Sequence, residues 1–321
     1  MALIMKNQLS MLVRMACISF CLSLFSGGLY AQQNIVYSQY IFNGLLINPA
    51  YAGSHVELSS ALSYRNQWIN FEGAPKTVTF GIHSSFKKEK VGLGLLVTSD
   101  KIGSYTNTGM FLSYSYIIKT LRGGRFSLGV QGGLNNFNAN FSELRIRQGG
   151  DPIFNGYFNE FKPNFGGGIF YYDKKFFVGF SVPTIFKHNE FFKGGFSQLV
   201  LPRVYYIQAG TTLPIDRAGN VKLNPSILLR VQDGTPLSAD LNVNVIFYDL
   251  ISIGNSYRTG DAIVSFINLK VSDKFHFIYS YDWTTSSIGS YSKGTHEFTI
   301  NYRTRIRNVH KNLECPNYWS H

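Results

Sequence analysis

The segment Thr77–Phe86 reads TVTFGIHSSF and alternates between polar and apolar side chains. In an extended chain the apolar side chains share one face, at Val78, Phe80, Ile82 and Phe86. The other face carries Thr77, Thr79, Gly81, His83 and Ser85. A period of two residues belongs to a β-strand, because successive side chains of a strand point to opposite faces, and no helix produces it. The segment is therefore predicted to be a strand with one apolar and one polar face.

The same alternation recurs along most of the chain, in about 14 runs of the length that a membrane-spanning strand needs. The runs are predicted at Val56–Arg65, Thr77–Phe86, Val91–Ser99, Thr108–Lys119, Arg125–Asn135, Asn164–Tyr172, Phe176–Thr184, Arg203–Leu213, Val221–Gln232, Ser238–Tyr248, Leu250–Arg258, Ala262–Val271, Lys274–Trp283 and Thr295–Arg305. Closed bacterial barrels have an even number of antiparallel strands. The pattern thus predicts an all-β fold, a transmembrane antiparallel β-barrel of the outer membrane.

The connections between these runs alternate between short and long. The short, charged ones are Lys87–Lys90, Leu121–Gly124, Asp173–Lys175, Ile215–Asn220 and Ser272–Lys274. The long ones are Ile69–Lys76, Asp100–Asn107, Asn136–Pro163, Ile185–Pro202 and Thr284–Gly294. Outer-membrane barrels have short periplasmic turns and long outer loops. The parity of the connections predicts long loops outside the cell and both chain ends in the periplasm.

Aromatic side chains at the ends of the apolar faces distinguish a membrane barrel from a soluble β-sandwich or propeller. They stand at Tyr64, Trp68, Phe86, Tyr171, Phe177, Tyr257, Tyr281 and Trp283. The outward faces of a soluble sandwich should be polar, whereas aromatic belts belong at a lipid–water interface. The composition agrees with a barrel, since 16% of the residues are aromatic, only 15% are charged and 31 are glycine.

Residues 1–31 have the layout of a secretory signal peptide. Lys6 and Arg14 precede an apolar run over Met15–Leu29, and Ala31 would end the segment that is removed. Cleavage there leaves Cys315 as the single cysteine, which cannot form an internal disulfide. The net charge of +12 is spread along an exported chain, which favours anionic lipid or an acidic protein over nucleic acid.

A kinked apolar segment precedes the first strand, with the sequence QYIFNGLLINPAYAGS over Gln39–Ser54. Asn43-Gly44 and Asn48-Pro49 interrupt it, and a residue before proline avoids the helical region. The segment can be neither a long helix nor a regular strand, and its apolar residues must dock on another surface. It is predicted to form an N-terminal arm over residues 32–54, in the periplasm or in the barrel lumen.

This segment, followed by RNQW at Arg65–Trp68 and FEGAPKT at Phe71–Thr77, resembles the opening of the PorP/SprF family. Further similar motifs are NPS at Asn224–Ser226, PLSADLN at Pro236–Asn242, GNSYRTGD at Gly254–Asp261, Tyr279–Trp283, Gly294–Glu297 and Cys315-Pro316. Together they cover nearly all of the mature chain.

The resemblance implies an outer-membrane component of the type IX secretion and gliding motility machinery of a Gram-negative bacterium. Such a barrel is expected to help secrete, bind or anchor a large, adhesin-like surface protein with a C-terminal secretion domain. The other implied partners are further secretion components in the periplasm and outer membrane, and outer-membrane lipid. The alternative function is a general diffusion porin or small-solute channel.

The sequence contains no motif for catalysis or for a cofactor. The histidines are far apart, and neither HExxH, GxSxG nor a phosphate-binding loop with its lysine occurs. No enzyme, cofactor or metal is therefore expected. His83 and His276 fall on polar faces, where hydrogen bonding inside a lumen is the simpler explanation.

Charged residues on the predicted inner faces carry two interpretations. They are Glu57, Arg65, Lys222, Arg230 and Asp240. One interpretation is a wet lumen with internal ion pairs, and the other is a mouth where a partner docks, since arginine and aromatic residues are enriched at binding hot spots. The docking hypothesis assigns partner-binding to Arg65, Gln67, Trp68, Phe71, Glu72, Tyr40, Phe42, Asn48 and Pro49.

The sequence thus predicts a barrel over residues 55–305 that follows the signal peptide and the arm. A basic tail over residues 306–321 is expected in the periplasm. It either contacts anionic lipid headgroups or reaches the secretion motor.

Overall fold

The computed structural model describes residues 36–55, 57–87, 89–121, 123–140, 157–191 and 198–304. Outside these residues lie the predicted signal peptide, the first residues of the arm, Val56, the middle of the Asn136–Pro163 loop, and the tail with Cys315. In the described part of the chain, no helix is long and apolar enough to cross a membrane.

The described strands follow one another along the chain with few other elements. They are β1 (Leu58–Asn66), β2 (Lys76–Phe86), β3 (Val91–Ile102), β4 (Tyr105–Lys119), β5 (Arg125–Asn140), β6 (Tyr157–Tyr172), β7 (Phe176–Val182), β8 (His188–Phe191), β9 (Gln198–Leu201), β10 (Val204–Thr211), β11 (Leu213–Pro214), β12 (Val221–Gln232), β13 (Ser238–Phe247), β14 (Ile251–Arg258), β15 (Ala262–Lys270), β16 (Phe275–Thr284) and β17 (Thr295–Thr304).

Fourteen of these strands close into one antiparallel barrel within the described residues. Consecutive strands pair with each other, and β1 pairs with β17 to complete the ring. The short β11 continues β10 along β12. The strands β8 and β9 form a separate hairpin in the connection between β7 and β10, which pair with each other. The predicted fold class is confirmed.

Four neighbouring strands extend at least three residues further toward the long-loop end than the alternation predicts. Strand β3 runs to Ile102, β4 begins at Tyr105, β5 runs to Asn140, and β6 begins at Tyr157. The added residues pair with one another, as in Tyr105 with Ala139 and Asn138 with Asn159. Above the lipid, an outward-facing side chain need not be apolar, so this part of the ladder lacks the alternation on which the sequence prediction relied.

The two faces of the barrel wall have the predicted character. Leu112 of β4 points outward and is 62% exposed, whereas its neighbours Phe111 and Ser113 are buried on the inside. In β1, Tyr64 points outward and Arg65 points inward, as the period of two predicts. Polar side chains line most of the interior, and several of them hydrogen-bond to the arm or to neighbouring strands.

The described part of the arm, residues 36–54, lies inside the lumen and fills it, and His55 follows directly. It forms three short 3-10 turns at Tyr40–Phe42, Gly44–Leu46 and Pro49–Tyr51. Proline at the first position of the last turn needs no amide hydrogen, and the Asn48 side chain accepts the Ala50 N–H. The barrel's main core cluster is built from arm residues packed on Leu96, Phe111, Phe170, Tyr172 and Leu228 of the wall.

The arm runs from the long-loop end of the lumen to the short-turn end. Ser38 contacts Arg65 near the outer end of β1, Ala52 accepts from Ser115 lower in the wall, and His55 meets Arg303 at the end of β17. The parity argument placed both chain ends on the short-turn side. The last described strand, β17, does end on the short-turn side. Val36, the first described residue, lies at the opposite end, because the arm crosses the lumen without forming a strand.

Candidate functional site

Five ionisable side chains of the wall hold the arm at the long-loop end. We call this group the mouth clamp, and it consists of Arg65, Asp240, Arg258, Asp282 and Glu297. All five side chains are buried and belong to β1, β13, β14, β16 and β17. They sit at or near the long-loop ends of their strands, and the barrel closure brings them together. The clamp therefore joins residues that are up to 232 positions apart in the chain.

Arg65 lies at the centre of the clamp. Its Nη2 is 2.6 Å from Asp282 Oδ2, and its Nη1 is 2.8 Å from Glu297 Oε2. The same Nη1 donates to the Ser38 hydroxyl at 2.9 Å. Ser38 in turn donates its hydroxyl to Asp282 and its backbone N–H to Glu297. The arm is thus part of the hydrogen-bond network around the two terminal nitrogens of the buried arginine.

Arg258 forms the second half of the clamp. Its Nε donates to both carboxylate oxygens of Asp240 at 3.1 Å, and its Nη2 donates to the Tyr37 carbonyl at 3.3 Å. Charge-assisted bonds of this kind are the strongest hydrogen bonds that side chains make. Losing one partner of such a buried pair typically costs about 3–5 kcal/mol, because the other charge stays behind without compensation.

At the short-turn end, a histidine holds the arm. His55 Nε2 lies 2.9 Å from Arg303 Nη2 and 3.0 Å from the Tyr51 hydroxyl, and its ring stacks on His83. Because arginine can only donate, Nε2 must be an acceptor and the imidazole is neutral. Burial and the adjacent Arg303 charge lower the pKa of His55 well below its ordinary value.

The residues of the docking hypothesis fall into two separate groups. Arg65, Tyr40, Phe42, Asn48 and Pro49 are buried inside the barrel, where they fix the arm. Gln67, Trp68, Phe71 and Glu72 lie on the connection between β1 and β2, at the outer rim. The structure does not bring the two groups into one surface, and the carboxylates that Arg65 binds belong to the barrel itself.

Three residues of the outer group, Trp68, Phe71 and Glu72, line a depression of about 610 Å³, which we call the rim pocket; Gln67 does not line it. Its principal lining residues are Asn66, Trp68, Phe71, Glu72, Lys76 and Lys101. The rings of Trp68 and Phe71 meet edge to face with centroids 6.5 Å apart.

The loop that forms the rim pocket is held firmly. Gly103 donates to the Gly73 carbonyl, and Ile69 exchanges backbone hydrogen bonds with Lys293 and Gly294 of the β16–β17 loop. Trp68 and Asn70 adopt positive φ angles of 48° and 69°, which non-glycine residues rarely do. Such strain persists only where the surroundings impose it, and it concentrates at functional sites.

Sequence reasoning assigned Arg65 and Asp240 to the interior but missed Arg258, Asp282 and Glu297. These three lie in segments that were predicted to be strands, but their side chains were not assigned to a face. The two-residue alternation of β14 could have assigned Arg258 to the inner face, since Ser252 and Ser256 are buried on the same face. Two other inward candidates lie outside the clamp: Lys222 pairs with Asp249 at the short-turn end, and Arg230 contacts Ser238 and lines a small interior cavity beside the arm.

The described residues contain no group of three or more histidine, cysteine, aspartate or glutamate side chains that could hold a metal. The clamp holds a segment of the chain itself, and the pocket exposes aromatic and charged groups to the outside.

Comparison with known protein families identifies the family of this chain. The type IX secretion system membrane protein PorP/SprF family matches residues 29–302, which include the described arm and nearly the whole barrel. The chain belongs to the PorP/SprF family. Together with the closed barrel and its apolar exterior, this assignment makes the protein an outer-membrane barrel of the type IX secretion system in a Gram-negative bacterium.

The solved structures that resemble this chain include several distantly related outer-membrane barrels. Omp33 from Acinetobacter baumannii is 8% identical with a TM-score of 0.44, covering 78% of this chain and 99% of its own. BamA from Haemophilus ducreyi is 7% identical with a TM-score of 0.42, covering 77% and 70%. The KdgM porin is 10% identical with a TM-score of 0.37, covering 77% and 99%. No curated protein matches the sequence.

Proposed function

We propose that this PorP/SprF barrel is a non-enzymatic accessory of type IX secretion that helps secrete, bind or anchor a large, adhesin-like surface protein. The observation that carries the proposal is the filled lumen. The arm occupies the interior from Ser38 at one end to His55 at the other, and its apolar side chains are among the most buried in the chain. A barrel closed in this way serves as a platform whose exposed rims are available for partners.

The alternative function, a diffusion porin or small-solute channel, fits this interior poorly. A porin conducts through a water-filled polar lumen. Here Leu45, Ile47 and Ala50 of the arm pack against the wall with almost no exposure to solvent. The arm would have to leave before solutes could pass.

The docking site for the surface protein is the rim pocket. Its aromatic pair offers apolar area, and Glu72, Lys76 and Lys101 offer charges of both signs. A preformed loop loses little conformational entropy on binding, which favours affinity. The partner in this proposal carries the C-terminal secretion domain, and periplasmic secretion components would meet the opposite, short-turn face.

The test is to replace Phe71 and Glu72 by alanine and measure how much of the surface protein is displayed on intact cells. Display should fall at least tenfold, since truncating a binding hot spot costs about 2 kcal/mol or more. Barrel abundance and its heat-modifiable migration on gels should stay unchanged. Phe161→Ala is the matched control, because Phe161 is another exposed aromatic residue of the outer region but does not line the pocket.

Unchanged display in the double variant would refute docking at the rim pocket. A fall in display that merely follows a fall in barrel abundance would do the same, since it would mean that the loop is needed only for folding.

A further inference from the structure

The inner wall of β12–β15 carries a continuous column of amide and hydroxyl side chains below the mouth clamp. We call it the amide column, and it consists of Asn224, Asn242, Asn244, Ser252, Ser256 and Asn268. Its members pair across neighbouring strands as Asn242 with Ser256, Asn244 with Asn224, and Ser252 across a third pair of strands with Asn268. The amide column thus runs from just below Asp240 and Arg258 toward the short-turn end of the lumen.

Many polar atoms of the amide column have no hydrogen-bond partner. Among the described residues, none pairs with either side-chain amide atom of Asn244. The same is true of the hydroxyls of Ser252 and Ser256, and of the side-chain carbonyl oxygens of Asn224, Asn242 and Asn268. All six residues are at most 4% exposed, so water does not reach these atoms while the arm is in place. Because a buried polar group without a partner costs free energy, this wall is unfavourable when it is dry.

The arm meets this wall with apolar side chains. Phe42 packs in one cluster with Ile246 and Val264 of the wall. These two are direct cross-strand neighbours of the amide column, since Ile246 lies opposite Ser252 and Val264 lies opposite Ser256. A hydrocarbon side chain neither donates nor accepts a hydrogen bond. The arm and the wall are therefore chemically mismatched along the amide column.

On the other side of the lumen, the arm is held by its backbone. Serine hydroxyls of β4, β5 and β7 donate to arm carbonyls at 2.6–2.7 Å, in the pairs Ser115 with Ala52, Ser127 with Ala50, and Ser181 with Ile47. The amide column reaches the arm through a side chain, since the Asn242 amide donates to the Tyr40 hydroxyl at 2.7 Å. The arm can therefore move away from the amide column without breaking the three bonds to its carbonyls.

We propose that the amide column is a transient path for water and small, uncharged polar solutes. It opens when the arm moves away from β12–β15 and stays bound to β4, β5 and β7. Water that enters supplies partners to the amides and hydroxyls that the closed lumen leaves unpaired, and this offsets the loss of apolar contacts. Large solutes are excluded, because the arm remains in the lumen.

The uncharged character of the solutes follows from the lining. The amide column contains amides and hydroxyls but no ionisable side chain, so it offers hydrogen bonds and no counter-charge for an ion. The path lies inside the barrel, away from the rim pocket. It is thus independent of the proposed docking function, and its test does not involve the surface protein.

Cysteine labelling in isolated outer membranes tests the proposal. Ser252→Cys and the control Ser127→Cys are each introduced into a chain with Cys17, Cys21 and Cys315 replaced by serine. The two positions are matched: both are serines at most 2% exposed, and both lie within three residues of the short-turn end of their strand. Iodoacetamide, which is small, polar and uncharged, should react at least about tenfold faster at Ser252→Cys, because only that wall opens locally.

Two further variants protect the comparison against a misfolded barrel. Asn244→Cys adds a second position of the amide column, and Ser115→Cys adds a second position where the arm backbone is bound. Heat-modifiable migration shows that each barrel has formed, and each rate is divided by the rate of the unfolded chain. Asn244→Cys should react like Ser252→Cys, and Ser115→Cys should react like Ser127→Cys.

Equal rates on the two walls would overturn the proposal, since they would mean that the arm leaves both walls together or neither. A maleimide attached to polyethylene glycol gives the second readout and should react at none of the four positions. Its reaction at Ser252→Cys or Asn244→Cys would also overturn the proposal, because a reagent of that size enters only after the arm has left the lumen.

Discussion

Arg65 is only 3% exposed, yet it carries a full charge inside a membrane barrel. It is tolerated because two carboxylates and a hydroxyl accept hydrogen bonds from its Nη1 and Nη2. The same contacts tie the arm, through Ser38, to strands at the closing seam of the barrel. One residue therefore links barrel closure with occupation of the lumen.

Replacing Arg65 by methionine should lower the free energy of unfolding by about 3–5 kcal/mol, because Asp282 and Glu297 would remain buried without their cation. The measurement is the urea midpoint in detergent, followed by heat-modifiable migration. Lys222→Met is the control: its partner Asp249 is partly exposed, and such pairs contribute only about 0–1 kcal/mol.

Adding Glu297→Gln to Arg65→Met should restore part of the loss, since Asp282 keeps Ser38 and Arg258 nearby. If Arg65→Met costs no more than Lys222→Met, the clamp does not stabilise the barrel.

At the scale of elements, the arm fits the lumen because glycines in the wall leave room for its backbone. A Cβ on Gly129 of β5 would overlap the backbone of Ala50, and a Cβ on Gly92 of β3 would overlap the carbonyl of Ala52. These are positions where the arm's own backbone approaches the wall. The arm and the strands are thus complementary in shape as well as in their apolar character.

Gly129→Ala should consequently lower the thermal midpoint of the barrel, with a loss of about 1–3 kcal/mol, as overpacking a close contact does. The midpoint can be read from heat-modifiable migration over a temperature series. Gly167→Ala on the neighbouring strand is the matched control, because its Cβ would come no closer than 3.6 Å to any atom. Equal midpoints for the two variants would contradict a close fit between arm and wall.

At the scale of the whole molecule, a barrel of this strand number has a lumen that must be either filled or conducting. The arm fills it, and the clamp and His55 hold the arm at both ends. The molecule is therefore a membrane barrel plugged by its own arm, and its exposed outer rim is the surface that the proposed function assigns to partner binding.

The intact protein should therefore show little steady conductance in planar bilayers, and deletion of residues 33–51 should raise it. Heat-modifiable migration of the deletion variant checks that the barrel still forms. Large, stable conductance from the intact protein would favour the porin function instead.

Much of this architecture follows from the sequence because it depends on local pattern. The alternation in Thr77–Phe86 determines which side chains face lipid, and it does so for Tyr64 and Arg65 as well. The Asn-Gly and Asn-Pro pairs of the arm exclude a regular element by backbone sterics alone. Strand number, face assignment and the existence of a docked apolar arm required no knowledge of distant contacts.

Only the tertiary structure decided which charges meet and where the arm runs. Arg65 and Glu297 are far apart in the chain, and a period of two gives the face of a residue but not its height or its partner. The sequence pattern could not show that the arm begins at the long-loop end, because its direction is set by Ser38 binding Arg65 at one mouth and His55 binding Arg303 at the other. Those contacts exist only after strand β17 closes on β1, since closure is what brings the two ends of the chain to one seam.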